Sequence, residues 1–115
     1  MAYFEVYGGR SLSGEITPQG AKNEALQIIC ATLLTPEKVT LYNVPEIVDV
    51  LALIELLRNM GVEVERQGEG CYSFCAKSVD LGYLRTEDYR KRGSKLRGSV
   101  MVIGPLLARF GVAYI

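Results

Sequence analysis

Hydrophobic and polar positions along this chain recur with two periods. "YFEVYGG" (3–9) alternates apolar and polar residues as a half-buried strand does, and "GEITPQG" (14–20) reads as a second short strand closed by turn residues. Leu26, Ile29, Cys30, Leu33 and Leu34 then fall at helical spacing and predict an amphipathic helix ending near Thr35-Pro36. The β-branched and aromatic run "KVTLYNV" (38–44) predicts a strand, and Pro45 stands where a second helix can begin. Ile47, Val50, Leu51, Ile54 and Leu57 give that helix its apolar face, with Gly61 as its cap. "VEVERQGEGCYSFCA" (62–76) reads as a hairpin by its alternation and its glycine-containing turn. A basic linker, "LRTEDYRKRGSKLR" (84–97), leads into a third helical face of Leu96, Val100, Ile103 and Leu107, which Gly104-Pro105 should kink.

The predicted unit is strand, helix, strand, helix, hairpin, an α/β (α+β) fold. Its Leu-Leu helix end and following strand, "ATLLTPEKVTL", are echoed by "GPLLARFGVAYI" 73 residues later. That self-similarity predicts one repeat plus part of a second, with a closing strand at 112–115.

Composition narrows the class. The 115 residues suffice for one domain, formal net charge is zero, and no apolar run reaches the roughly 20 residues of a membrane span. The N-terminus has no basic leader before an apolar core, so the expectation is a soluble cytoplasmic protein. Cys30, Cys71 and Cys75 make an odd count, and the last two, four apart on one strand, would stand about 13 Å apart. Histidine is absent, so neither a disulfide framework nor a metal site is expected, and the cysteines read as buried structural residues.

The candidate chemistry centres on "QGAKNEAL" (19–26), where Lys22 sits in the first turn of a helix. A cation there opposes the helix dipole by about 0.3–1 kcal/mol, a cost that reverses once an anion binds. With Gly20 allowing close backbone approach and free first-turn amides, Lys22 and Asn23 define an anion site. Arg97, at the start of a helical face, is expected to be held in place for bidentate contact with phosphate or carboxylate. Asp49 reads as stabilising the start of the second helix, with a supporting role at the site open to it. Of the basic segment 85–97, most residues read as a solvated loop. Nucleic acid is disfavoured by overall neutrality and a single Tyr89 for stacking. No nucleophile stands beside a partner base.

"GEITPQGAKNEALQIICATLL", "VTLYNVPEIVDVLALIELLRNMGVEVER" and "KLRGSVMVIGPLLARFG", in that order, resemble the N-terminal part of the UDP-N-acetylglucosamine 1-carboxyvinyltransferase (enolpyruvyl transferase) family over nearly the whole chain. Lys22-Asn23 favours that family over its sister, the enolpyruvylshikimate-phosphate synthases, whose corresponding helix starts Lys-Ser. The resemblance implies a longer, two-lobed enzyme with three such repeats per lobe and its substrates, phosphoenolpyruvate and UDP-N-acetylglucosamine, bound between lobes. It implies a first step of peptidoglycan synthesis with no metal or other cofactor, and the composition above leaves no membrane or nucleic-acid partner expected. By position, Lys22 and Asn23 match a phosphoenolpyruvate-binding pair and Arg97 an arginine that contacts the UDP-sugar. The family's Cys- or Asp-bearing acid loop would lie beyond Ile115, so no catalytic residue is assigned in this chain and the chain alone is expected to be inactive. The same resemblance gives residues 1–18 to the other lobe, so unpaired strand edges at 3–7 or 112–115 should drive self-association. The rival readings are a small α/β anion- or nucleic-acid-binding interaction module using segment 85–97, and a piece of the shikimate-pathway sister enzyme.

Overall fold

Each amphipathic stretch finds its partner in the computed structural model, which describes residues 2–114. Helix α1 (Lys22–Ala31) continues as a 3-10 turn, Thr32–Leu34. Strand β1 (Lys38–Leu41) precedes helix α2 (Val48–Asn59), and strands β2 (Glu63–Gly68) and β3 (Cys71–Cys75) form the expected hairpin. After a short 3-10 turn at Tyr83–Arg85 come helix α3 (Glu87–Ser94), a 3-10 segment at Arg97–Val102, and helix α4 (Ile103–Phe110). The sheet is antiparallel in the order β1-β3-β2, so β3 is central. Val39 and Val64 both pair with Phe74, Leu41 and Arg66 with Tyr72, and a bulge interrupts β2 between Arg66 and Gly68. Phe74 and Tyr72 therefore face the core formed by Ile29, Leu33, Leu53, Leu57 and Leu106.

Two devices hold the sheet to the helices. Gly61, at φ +101°, ends α2 in a conformation that favours glycine. Glu46 ties the entry of α2 to the hairpin tip: its carboxylate accepts from Arg66 Nε (2.7 Å), Tyr72 Oη (2.8 Å) and Gly70 N (3.1 Å). These hydrogen bonds, Arg66 first, lower the Glu46 pKa from 4.5 to about 2. A depressed carboxylate pKa stabilises the fold fully above pH 4.5, and that stabilisation is lost as pH falls toward 2. Glu46→Gln should lower the urea midpoint at pH 6 and flatten its pH dependence between 4.5 and 2; parallel profiles for the two chains would refute the clamp.

Several elements differ from the sequence reading. The strands expected at 3–9 and 14–20 do not form: residues 2–20 carry no regular structure, and Phe4, Val6, Leu12 and Ile16 are exposed. A strand is stable only against a partner, and β1–β3 satisfy one another without this arm. Its splay shows in a radius of gyration of 17.4 Å, against about 13 Å for a compact chain of this length. Helix α2 begins at Val48 rather than at Pro45, because Glu46 and the Val44 N to Gly70 O bond (2.8 Å) keep that stretch extended. Leu53 and Leu56 are buried in α2, whereas Leu51 is 40% exposed, since the helix packs against α1, α3, β2 and the 3-10 segment and so buries more than one stripe. In α1 and its 3-10 extension the predicted face holds except at Leu34, which is half exposed where the chain tightens.

The predicted linker is largely helix. Thr86 caps α3 by accepting from Tyr89 N, Glu87–Lys91 and Asp88–Arg92 pair at i,i+4, and Tyr89 is buried. The third face is displaced as well: Leu96, Val102 and Leu106 are buried, while Val100 and Leu107 are each 50% exposed. The segment opens as 3-10 rather than α, and three residues per turn moves every later side chain. Pro105 falls in the first turn of α4, where its missing N–H costs nothing. No strand forms at 112–114, and Ile115 lies outside the described residues. The two similar Leu-Leu ends nevertheless meet, through Arg109 Nη1 donating to Leu33 O at 2.9 Å. All three cysteines are free: Cys30 is buried and its thiol pushed up to about 12 by desolvation, but Cys71 and Cys75 are only half-buried.

Candidate functional site

The N-terminus of α1 is open. Its capping position, Ala21, is extended and offers no side-chain acceptor, so the first-turn amides of Lys22, Asn23 and Glu24 are left without a cap. Lys22 is not an isolated cation: its Nζ lies 2.5 Å from Asp49 Oδ2, and both side chains are nearly half exposed. Asp49 occupies the first turn of α2, so one carboxylate favours the α2 dipole and offsets the lysine charge at the start of α1. An exposed pair of this kind is worth about 0–1 kcal/mol. An arriving anion can therefore share Lys22 at little cost.

Asn23 is exposed on the first turn of α1 beside Lys22. Arg97 opens the 3-10 segment and is exposed, with no side-chain hydrogen bond or ion pair among the described residues, so it is not clamped as the sequence suggested. Its backbone is nevertheless placed. The segment packs on α1, and a Cβ on Gly98 would come within 3.0 Å of Leu26 Cδ1, one helical turn beyond Lys22. The fold thus brings Lys22, Asn23 and Asp49 together and sets the segment bearing Arg97 against the same helix.

Gly20 has another role than the one its sequence context suggested. A Cβ there would stand 2.0 Å from the Asn43 carbonyl oxygen, so the close approach it permits is to the chain's own 43–45 turn, where Asn43 has φ +56°. The wall formed by α3 was missed. A groove of about 650 Å³ between α2 and α3 opens beside Asp49, lined by Lys91 and Lys95. The signal was present in "TEDYRKR", a capping threonine with acids in the first turn and bases in the last.

No cluster of three or more His, Cys, Asp or Glu able to hold a metal ion exists among the described residues, and no described helix is long and apolar enough to cross a membrane. What the arrangement can do is bind a small anion, through uncapped amides and the Lys22 ammonium, with the segment that carries Arg97 packed on the same helix.

Comparison with known proteins agrees with this fold. Residues 6–115 match the EPSP synthase (3-phosphoshikimate 1-carboxyvinyltransferase) family, and the chain belongs to that family of carboxyvinyl (enolpyruvyl) transferases. Within it, the chain is 61% identical over all 115 residues to the UDP-N-acetylglucosamine 1-carboxyvinyltransferase of Bacteroides thetaiotaomicron, covering 26% of that protein. It is 53% identical over 113 residues to the enzyme of the same name from Porphyromonas gingivalis, covering 98% of this chain and 26% of that one. The crystal structure of the enolpyruvyl transferase NikO from Streptomyces tendae superposes with a TM-score of 0.70 at 26% identity, over 92% of this chain and 24% of that one. The chain thus spans about a quarter of the length of these relatives.

Proposed function

We propose that this chain supplies part of the substrate site for transfer of the enolpyruvyl group of phosphoenolpyruvate to the 3-hydroxyl of UDP-N-acetylglucosamine, with release of phosphate. The observation that carries the reading is the uncapped start of α1, with Lys22 paired to Asp49 and the Arg97 segment packed one turn away. In this reading Lys22, Asn23 and the first-turn amides hold phosphoenolpyruvate by its negative charges, and Arg97 reaches the UDP-sugar. Asp49 keeps Lys22 extended toward the site until the anion arrives. Asn23 after Lys22, and the names of the relatives at 61% and 53% identity, support the UDP-sugar over shikimate as acceptor.

The general acid and a base for the sugar hydroxyl are assigned outside these residues, so the chain alone binds without turning over. Residues 1–18 are assigned to a sheet of the other lobe, which accounts for the exposed side chains of Phe4, Val6, Leu12 and Ile16. Left unpaired, the arm favours self-association, and light scattering should give a mass above the monomer that falls to the monomer when Phe4 and Val6 are replaced by lysine. The setting proposed is the cytoplasm, at the start of peptidoglycan synthesis.

Calorimetric titration of the chain with UDP-N-acetylglucosamine and with 3-phosphoshikimate tests the assignment. Binding of the first but not the second is expected. A preference for 3-phosphoshikimate would move the chain to the sister activity.

A further inference from the structure

A second cavity lies on the far side of α3 from the groove just described, between that helix and the 3-10 segment, with a volume of about 310 Å³. Its wall is mostly apolar. Val100 and Ile103, which the sequence pattern assigned to the core, line it instead, together with Tyr89 and Tyr114. The wall is fixed: Tyr89 Oη donates to Tyr114 O at 2.9 Å, and Arg85 Nε donates to Tyr114 Oη at 3.0 Å.

Among the side-chain donors around this cavity, one stands uncommitted. The Ser99 hydroxyl is committed to Gly93 O (2.9 Å) and the Ser94 hydroxyl to Lys91 O (3.0 Å). Both ion pairs of α3 leave out Arg90, which lies within the Glu87–Lys91 and Asp88–Arg92 spans in sequence, is exposed, and lines the cavity. Its guanidinium makes no hydrogen bond or ion pair among the described residues. A cavity of ligand size with apolar walls and one uncommitted, always charged fork donor selects an acid with an apolar body.

We propose that this cavity binds a small organic carboxylate, its carboxylate on Arg90 and its apolar body against Val100, Ile103, Tyr89 and Tyr114. The site is separate from the Lys22–Asp49 pair and does not depend on the transferase reading.

The test is an amide NMR titration of the whole chain with 3-phenylpropionate, with 3-phenylpropan-1-ol as the uncharged analogue and Arg90→Gln as the variant. Saturable shifts at Gly93, Ser99, Val100 and Ile103 are expected for the acid. The alcohol and the variant should each bind about tenfold more weakly or worse, the loss that follows from removing a charge-assisted pair. A folded Arg90→Gln spectrum that binds the acid as well as the parent would overturn the proposal. So would equal affinity for acid and alcohol, an absence of shifts, or shifts that track protein concentration and so report a second copy in the cavity.

Discussion

Gly20→Ala is expected to destabilise the chain by about 1–3 kcal/mol or more, the cost of overpacking against a surface that cannot yield. The new methyl would sit 2.0 Å from Asn43 O and 3.2 Å from Pro45 Cδ. That turn has little room to retreat, because Val44 N donates to Gly70 O at 2.8 Å and Glu46 is bound to Arg66 and Tyr72. The strain must then fall on the start of α1, and the amides of Lys22 and Asn23 should shift. Gly8→Ala is the control, since a Cβ there meets nothing and the effect should stay within about 0.5 kcal/mol. Urea unfolding of the two variants decides the matter, and equal midpoints would mean that Gly20 is not a packing residue.

Phe74→Ala should cost about 3–5 kcal/mol. Phe74 is fully buried at the centre of the three-stranded sheet, between Val39 and Val64, with the Tyr72 ring 6.4 Å away on the same strand. Domains of this size hold only about 5–15 kcal/mol in total. The variant should therefore populate unfolded chain at room temperature, visible as collapse of amide dispersion. A loss below about 1 kcal/mol would show that the sheet face does not anchor the core.

The sequence was informative where a period and its punctuation agree. α1, the end of α2 and the 62–76 hairpin were legible because each carries its own stripe or alternation and its own punctuation, at Pro36, Gly61 and Gly70. Segments whose conformation is set by distant partners were not. The 44–47 stretch is extended because Glu46 reaches across to the hairpin, and Val100 leaves the core because the chain winds as 3-10 from Arg97. Residues 3–7 have the alternation of a strand but no strand beside them, which a pattern in one segment cannot reveal. α3 was legible in principle from Thr86 and its charge order, yet its run of basic residues suggested a solvated loop. At the site, the dipole argument picked out Lys22 and Asn23, but the distance that matters most, Lys22 to Asp49, joins residues on two helices and is a product of their packing.

The start of α1 is proposed here as an anion site. An amide NMR titration with phosphoenolpyruvate, then UDP-N-acetylglucosamine, on the parent chain and on Lys22→Ala puts that site to the test. The variant should keep its fold, with stability changed by less than about 1 kcal/mol, because an exposed ion pair is lost while an unfavourable cation leaves the helix start. In the parent, saturable shifts confined to Lys22, Asn23, Glu24 and Arg97 are expected, and Lys22→Ala should abolish those from phosphoenolpyruvate. A well-folded parent whose spectrum ignores both ligands, or a variant that binds as the parent does, would rule out an anion site at the start of α1.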